Sequence, residues 1–429
     1  MIINAIVIVF VLLGIKRILF DRNGIEKSLQ WIIFAFILGY RTFEPIPGLK
    51  LHPIEVFVYA SIIRIIVSSP PKYFKMPLNI TLLGIFFVTF FILDCLTRYN
   101  QYALLEFKNA ILLLMIFFVI QHIQIKKVHI IRLLKIYLFS ATTISILGIN
   151  EFLFPSFMSS LFGYQIEFQH NNNNLIFNRL AFLFWGSHLA ANLIPPVFPI
   201  LLLLKVEKDP IASNNSFLTF LVIINLFAIY LSGNRISWLV LTVLLIATIF
   251  QFKGSLLPNM KSYILLITIS FVVYIYSQPV EGRYISTFKA LTGEIDTRFD
   301  SSGGVRLARA KIAIASIASH PLGTGWGSQG WVHSDFLQIS ATVGIIPGVI
   351  FLFVPLSILL RCYRCYLTAI PEQKTLFFVL CGLLIYIIIS LSLNGNIFLV
   401  QCGTPLFLLW ALTYAYIDKY NNIGQSYSL

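Results

Sequence analysis

The chain has 429 residues, 58% of them hydrophobic and only 11% charged, where a soluble chain carries about 25% charged residues. A mean hydropathy of +0.85 with 39 Phe excludes a soluble enzyme, a disordered chain and a disulfide-knit secreted domain. The balance of 31 Lys and Arg against 17 Asp and Glu gives a net charge of +14, but these cations gather in short loops, where they set membrane orientation rather than bind nucleic acid.

The opening segment, MIINAIVIVFVLLGIKRILF, lacks a leading positive region and a small-residue cleavage site. It is expected to be a retained span rather than a signal peptide. Apolar runs lie near 2–15, 31–40, 53–69, 78–94, 103–121, 129–148 and 183–204, then near 217–232, 236–252, 262–277, 335–360, 375–393 and 397–417. The run at 31–40 is short, and 103–121 contains Glu106 and Lys108. The fold class expected is therefore all-α: a polytopic integral membrane protein with about 12–13 transmembrane helices. Continuous runs, rather than alternation, exclude a transmembrane β-barrel.

If the runs alternate strictly, Lys16, Arg17, Arg22 and Lys27, then Lys72 and Lys75, Lys126 and Lys127, Lys205 and Lys208, Lys253 and Lys261, and Arg361, Arg364 and Lys374 share one face. That face is expected to be cytoplasmic. The opposite face receives two long polar stretches, 149–182 and 278–334, the second being the largest extramembrane piece. The whole chain, 1–429, reads as a single transmembrane domain. Cys362 and Cys365 read as an unreactive pair in a short basic loop, without the second pair that a zinc site needs.

Orientation does not explain several residues on the outer face. Arg235, in Ser232-Gly233-Asn234-Arg235, occupies a tight turn between two apolar runs. It is either an interfacial anchor or a guanidinium aimed at a phosphate or carboxylate. Arg179 precedes the 183–204 run and carries the same two alternatives. Arg64 lies alone inside an apolar run. In 305–319 apolar residues recur at helical spacing, which predicts an amphipathic helix along the membrane surface. Arg306 and Arg309, three apart, project from one side of it.

His320-Pro-Leu-Gly-Thr-Gly-Trp-Gly327 then breaks that helix, its alternate glycines suiting a turn where the backbone meets a ligand or another segment. The match of Gly325–Gly330 to a dinucleotide fingerprint has no strand–helix context and carries no meaning. Asp335 with Gln338 fits a capping pattern, so a helix is expected to start there. This places His333 beside the positive end of a helix, where an anion is at home. A neutral imidazole is also a feasible base near neutral pH.

Together these residues resemble the O-antigen ligase and O-antigen polymerase superfamily. The resemblance covers about 180–360. It rests on Asn178-Arg179 followed by Gly186 and Ala191-Asn192, on Ser232-Gly233-Asn234-Arg235, on Val305-Arg306-Leu307 leading into His320-Pro-Leu-Gly-Thr-Gly325, and on His333-Ser334 followed by Gly344. It implies a C-class-like, inverting glycosyltransferase of the bacterial inner membrane with its active site facing the periplasm. Such enzymes need no metal or other cofactor and move a glycan from undecaprenyl pyrophosphate to an acceptor.

By position, Arg179, Arg235, Arg306 and Arg309 would grip pyrophosphate, and His333, with Asp335 as a second possible base, would activate the acceptor hydroxyl. The implied partners are the undecaprenyl-pyrophosphate-linked oligosaccharide, an acceptor glycan, membrane lipid and a chain-length regulator. Where the ligase pattern expects glycine this chain has Gly344-Ile-Ile-Pro347, displacing the glycine to 348. That departure ranks polymerase, acting on another lipid-linked repeat unit, ahead of ligase, acting on lipid A–core. A transporter is the alternative from another class, but paired repeats and polar breaks at mid-membrane are missing from the sequence.

Overall fold

The computed structural model describes residues 2–38, 43–46, 49–68, 76–97, 101–123, 125–162, 192–232, 234–251, 301–329, 332–393 and 400–426. The chain forms α1 (Ile2–Phe20), α2 (Gly24–Ala35, prolonged by a 3-10 turn to Leu38), a hairpin of β1 (Phe43–Ile46) and β2 (Leu49–Leu51), α3 (Pro53–Ser68), α4 (Leu78–Thr97) and α5 (Gln101–Gln121). Next come α6 (Lys127–Leu153), α7 (Pro155–Phe162), α8 (Val197–Val206), α9 (Pro210–Ser213), α10 (Asn215–Ser232) and α11 (Arg235–Gln251). The last five are α12 (Ser301–Ser319), α13 (Asp335–Val343), α14 (Ile345–Thr368), α15 (Pro371–Leu393) and α16 (Val400–Ser426).

Helices dominate because hydrocarbon offers no partner for backbone N–H and C=O groups, which a helix satisfies internally. Among the described residues six helices are long and apolar enough to cross a membrane: α4, α5, α6, α10, α14 and α15. Their apolar surfaces are divided between protein and surroundings. In α4, Ile80, Leu83 and Phe87 are buried, whereas Leu78, Leu82, Ile85, Ile92 and Leu96 form an exposed stripe at helical spacing. In water such a stripe would be costly; in a bilayer it is the expected lipid-facing side. The main core joins α1–α6 to α14–α16 through Phe57, Phe117, Phe351, Phe377 and Trp410.

Polar contacts gather several of the basic loops onto one face. Lys127 Nζ pairs with Glu207 at 2.8 Å and donates to the Glu372 carbonyl at 2.7 Å, while Lys135 pairs with Asp209. These bonds join the α5–α6, α8–α9 and α14–α15 connections, as the Lys and Arg distribution predicts. Near the same end of the fold Arg64 donates from Nη1 to the Leu19 carbonyl at 2.9 Å, which gives this intramembrane arginine a structural partner at the end of α1.

Three details differ from the sequence expectation. The apolar run at 335–360 is not one span: Gly344, at φ +111, ends α13, and α14 starts afresh at Ile345. Pro347 falls in the first turn of α14, where no intrahelical N–H bond is required. The short run at 31–40 is not one continuous helix: α2 ends at Ala35 and a 3-10 turn covers Phe36–Leu38. Cys362 and Cys365 sit inside the final turns of α14, not in a loop, and their spacing buries both thiols while Arg361 and Arg364 face outward. The 262–277 run lies outside the described residues, as do 183–191 of the 183–204 run, 163–182 of the first polar stretch, and 278–300 with 330–331 of the second.

Candidate functional site

The site forms at the end of the bundle opposite the Lys127 cluster. Lys205 Nζ bonds Asn215 Oδ1 at 2.8 Å, fixing the start of α10 at the basic face. The 18 residues of α10, rising about 1.5 Å each, carry the chain to the other face at Ser232. There Asn234 caps α11. Its Oδ1 accepts from Ile236 N at 3.0 Å and Ser237 N at 3.4 Å, and its Nδ2 donates to Asn192 Oδ1 at 3.1 Å. Short polar residues are the natural caps for the otherwise unpaired N–H groups of a helix start. Arg235 is thereby the first residue of α11. Its side chain lies outside the described part, and so does Arg179.

The second part of the site is built by α12, the glycine turn and α13. The predicted amphipathic helix exists as α12, and it packs on α13 through a small core of Ala313, Val332 and Ala341, with Ile317 and Leu337 against it. Ile312 and Ile314 remain more than half exposed. The turn at 320–327 then folds back over the far end of α13. Thr324 N donates to the Ala341 carbonyl and Gly325 N to the Thr342 carbonyl, both at 2.9 Å, and Ile345 N returns a bond to the Pro321 carbonyl at 3.0 Å. These bonds satisfy carbonyls that a helix end otherwise leaves orphaned.

The same turn is clasped from the opposite side. Trp326 N donates to Asp94 Oδ2 at 2.6 Å, and Gly327 N donates to Glu106 Oε2 at 2.8 Å. The Trp326 ring meets Phe87 and Phe107 edge-on, with centroids 5.3 and 6.1 Å away. Gly325 is indispensable to this approach: at φ +97, a Cβ there would stand 2.5 Å from Asp94 Oδ1. The alternate glycines therefore serve contact with another segment.

His333 follows in a left-handed backbone conformation, φ +59. This region is uncommon for a side-chain-bearing residue, although His visits it more than most. The imidazole is half-buried. Burial, followed by the charges of Arg306 and Arg309, pulls its pKa down to about 4. The structure thus brings three of the expected site residues into one electrostatic neighbourhood and leaves the imidazole neutral near pH 7. Arg306 is half-exposed and Arg309 exposed, so a ligand can reach both.

Asp335 is the first residue of α13 and has no exposed surface. The N-cap position expected for it is taken by Ser334, whose side chain makes no cap bond. Gln338 turns back to accept Val332 N–H at 2.9 Å with Oε1, which fixes the residue just before His333. Asp94 and Glu106 escape a reading of the sequence alone. Glu106 stands out there only as a charge interrupting an apolar run, and the usable signal was that ionisable residues in membrane segments are costly and serve a purpose.

These elements define a polytopic membrane protein in which Arg306 and Arg309 act electrostatically on His333 at one end of the bundle. Residues 220–353, from within α10 to within α14, match the family model described as O-Antigen ligase. No curated protein matches the chain. The matched segment is similar to the O-antigen ligase family and supports a resemblance to the O-antigen ligase and polymerase superfamily.

Proposed function

We propose that the protein is an O-antigen, or surface polysaccharide, polymerase of the bacterial inner membrane. It would extend one undecaprenyl-pyrophosphate-linked glycan onto the terminal sugar of another at the periplasmic face. The reading is supported by the electrostatic influence of Arg306 and Arg309 on His333 within the matched segment, on the face opposite the basic loops.

In the proposed step the acceptor hydroxyl oxygen attacks the anomeric carbon of the donor sugar. Its proton passes to the His333 imidazole, and the bond from that carbon to the pyrophosphate oxygen breaks. Charge accumulates on the departing undecaprenyl pyrophosphate, where Arg306 and Arg309 offer planar donors that stay charged at any working pH. Arg235 and Arg179 are proposed to complete this cradle. A single base is sufficient because pyrophosphate is already a good leaving group, and such a base contributes about 10²–10⁴-fold. His333 suits the task better than Asp335, whose complete burial denies access to a sugar hydroxyl. Asp335 instead places its carboxyl at the positive end of α13, where a negative charge is favoured.

The second reading is an O-antigen ligase, favoured by the description of the matching family itself, with lipid A–core as acceptor. The two readings share donor and chemistry and differ in product. Purified protein in liposomes, supplied with labelled undecaprenyl-pyrophosphate glycan with and without lipid A–core, separates them. The polymerase reading predicts longer lipid-linked glycan without lipid A–core; label found only on lipid A–core supports the ligase. Solute uptake with no glycan product would contradict both.

A further inference from the structure

The segment carrying His333 is gripped by residues far outside the matched family region. Asp94 lies in the last turn of α4 and Glu106 in the second turn of α5. Two consecutive backbone donors, Trp326 N–H and Gly327 N–H, are each met by one of these carboxylates. Asp94 is nearly fully buried, and a buried carboxylate at the edge of a membrane is an expensive way merely to tether a loop. The turn so held is also bonded to the last carbonyls of α13 through Thr324 and Gly325, while Gln338 ties α13 to Val332. A shift of the turn therefore moves α13 at both ends, and His333 with it.

We infer that Asp94 and Glu106 are positioning residues for glycan transfer: their carboxylates dock the 325–327 turn on the α4–α5 hairpin and so fix His333 against Arg306 and Arg309. This rests on His333 being the base. Neither carboxylate is assigned contact with substrate.

The test compares Asp94→Ala and Glu106→Ala with Asp94→Asn and Glu106→Gln in liposomes. Displacing a reacting group by about 1 Å costs up to about 10²-fold, so the alanine variants are expected to lose about 10- to 100-fold in kcat with donor KM nearly unchanged. The amide variants keep an oxygen that accepts the same N–H and are expected to recover most of that loss. Amide hydrogen exchange of a peptide covering 320–334 should be faster in the alanine variants and near wild type in the amides. Gly325→Ala, which drives a Cβ against Asp94, should reproduce the loss, and Asp94→Ala added to it should lower kcat no further.

Alanine variants with wild-type kcat overturn the inference. So do amide variants as impaired as the alanines, because the charge rather than the hydrogen bond would then be required. Should the alanine variants fail to fold, the amide and Gly325→Ala arms decide by the same criteria. His333→Ala, assayed alongside, keeps the two claims apart. An active His333→Ala contradicts the assignment of the base, whereas an inactive one beside active Asp94→Ala and Glu106→Ala contradicts only the positioning role.

Discussion

Asn234 donates from Nδ2 to Asn192 Oδ1 at 3.1 Å while its own Oδ1 caps α11. One buried amide thus starts the helix that begins with Arg235 and ties it to a segment 42 positions away in the chain. Removing it as Asn234→Ala takes away the cap and strips Asn192 of this donor. The cap alone is worth about 0.5–2 kcal/mol, so thermal unfolding in detergent should show a loss of that size, together with weaker donor binding through a displaced Arg235. Unchanged unfolding and binding would show that the cap does not organise this end of the site.

His333 gives the pH dependence a definite sign. Burial and the two arginines depress its pKa to about 4, so in the free protein the imidazole stays neutral down to that pH. The acid limb of kcat/KM, which reports the free enzyme, should therefore fall near pH 4 rather than near the ordinary histidine value of about 6.5. Bound pyrophosphate offsets the arginine charges and raises the pKa, so the acid limb of kcat should lie above that of kcat/KM. Arg306→Gln with Arg309→Gln should also move the kcat/KM limb upward, with burial still holding it below the ordinary value. Full pH profiles check this; a limb at the ordinary histidine value, unmoved by the double variant, contradicts it.

The guanidinium forks, and not only their charge, are expected to matter. Arg306→Lys and Arg309→Lys keep a cation near His333 but lose the planar pair of donors that phosphate oxygens match. Each should lower kcat/KM for the lipid-linked donor by about 10-fold or more, a loss of one charge-assisted hydrogen bond. The acid limb should stay near its wild-type position. Donor-concentration series at several pH values test both halves of the prediction.

Lys108 and Glu55 form an ion pair at 2.5 Å, with Glu55 also accepting His52 N–H at 2.6 Å. Glu55 is almost fully buried. Lys108→Met strands that carboxylate and should cost about 3–5 kcal/mol, whereas pairing it with Glu55→Leu should return much of the loss. Thermal unfolding of the two variants in the same detergent measures the difference.

Much of this architecture was legible in the sequence because it follows from composition. Long apolar runs had to become helices, and the grouping of Lys126, Lys127, Lys205 and Lys208 anticipated the face where Lys127 meets Glu207 and Glu372. Arg306 and Arg309 were legible as one side of a helix because their spacing is a helical repeat. The break at Gly344 was hidden inside an apolar run, since hydropathy is blind to a single backbone reversal. The partners of Arg64, Asp94 and Glu106 are carbonyls and N–H groups remote in the chain. A backbone partner leaves no side-chain signature, so local pattern could not find them.

The most direct test of the account is the rate at which purified protein in liposomes, supplied with labelled undecaprenyl-pyrophosphate glycan, forms transferred product before and after His333→Ala. Loss of the base should lower the rate by about 10²–10⁴-fold in a variant that remains folded and binds the donor. A His333→Ala protein that transfers glycan at close to the wild-type rate contradicts it.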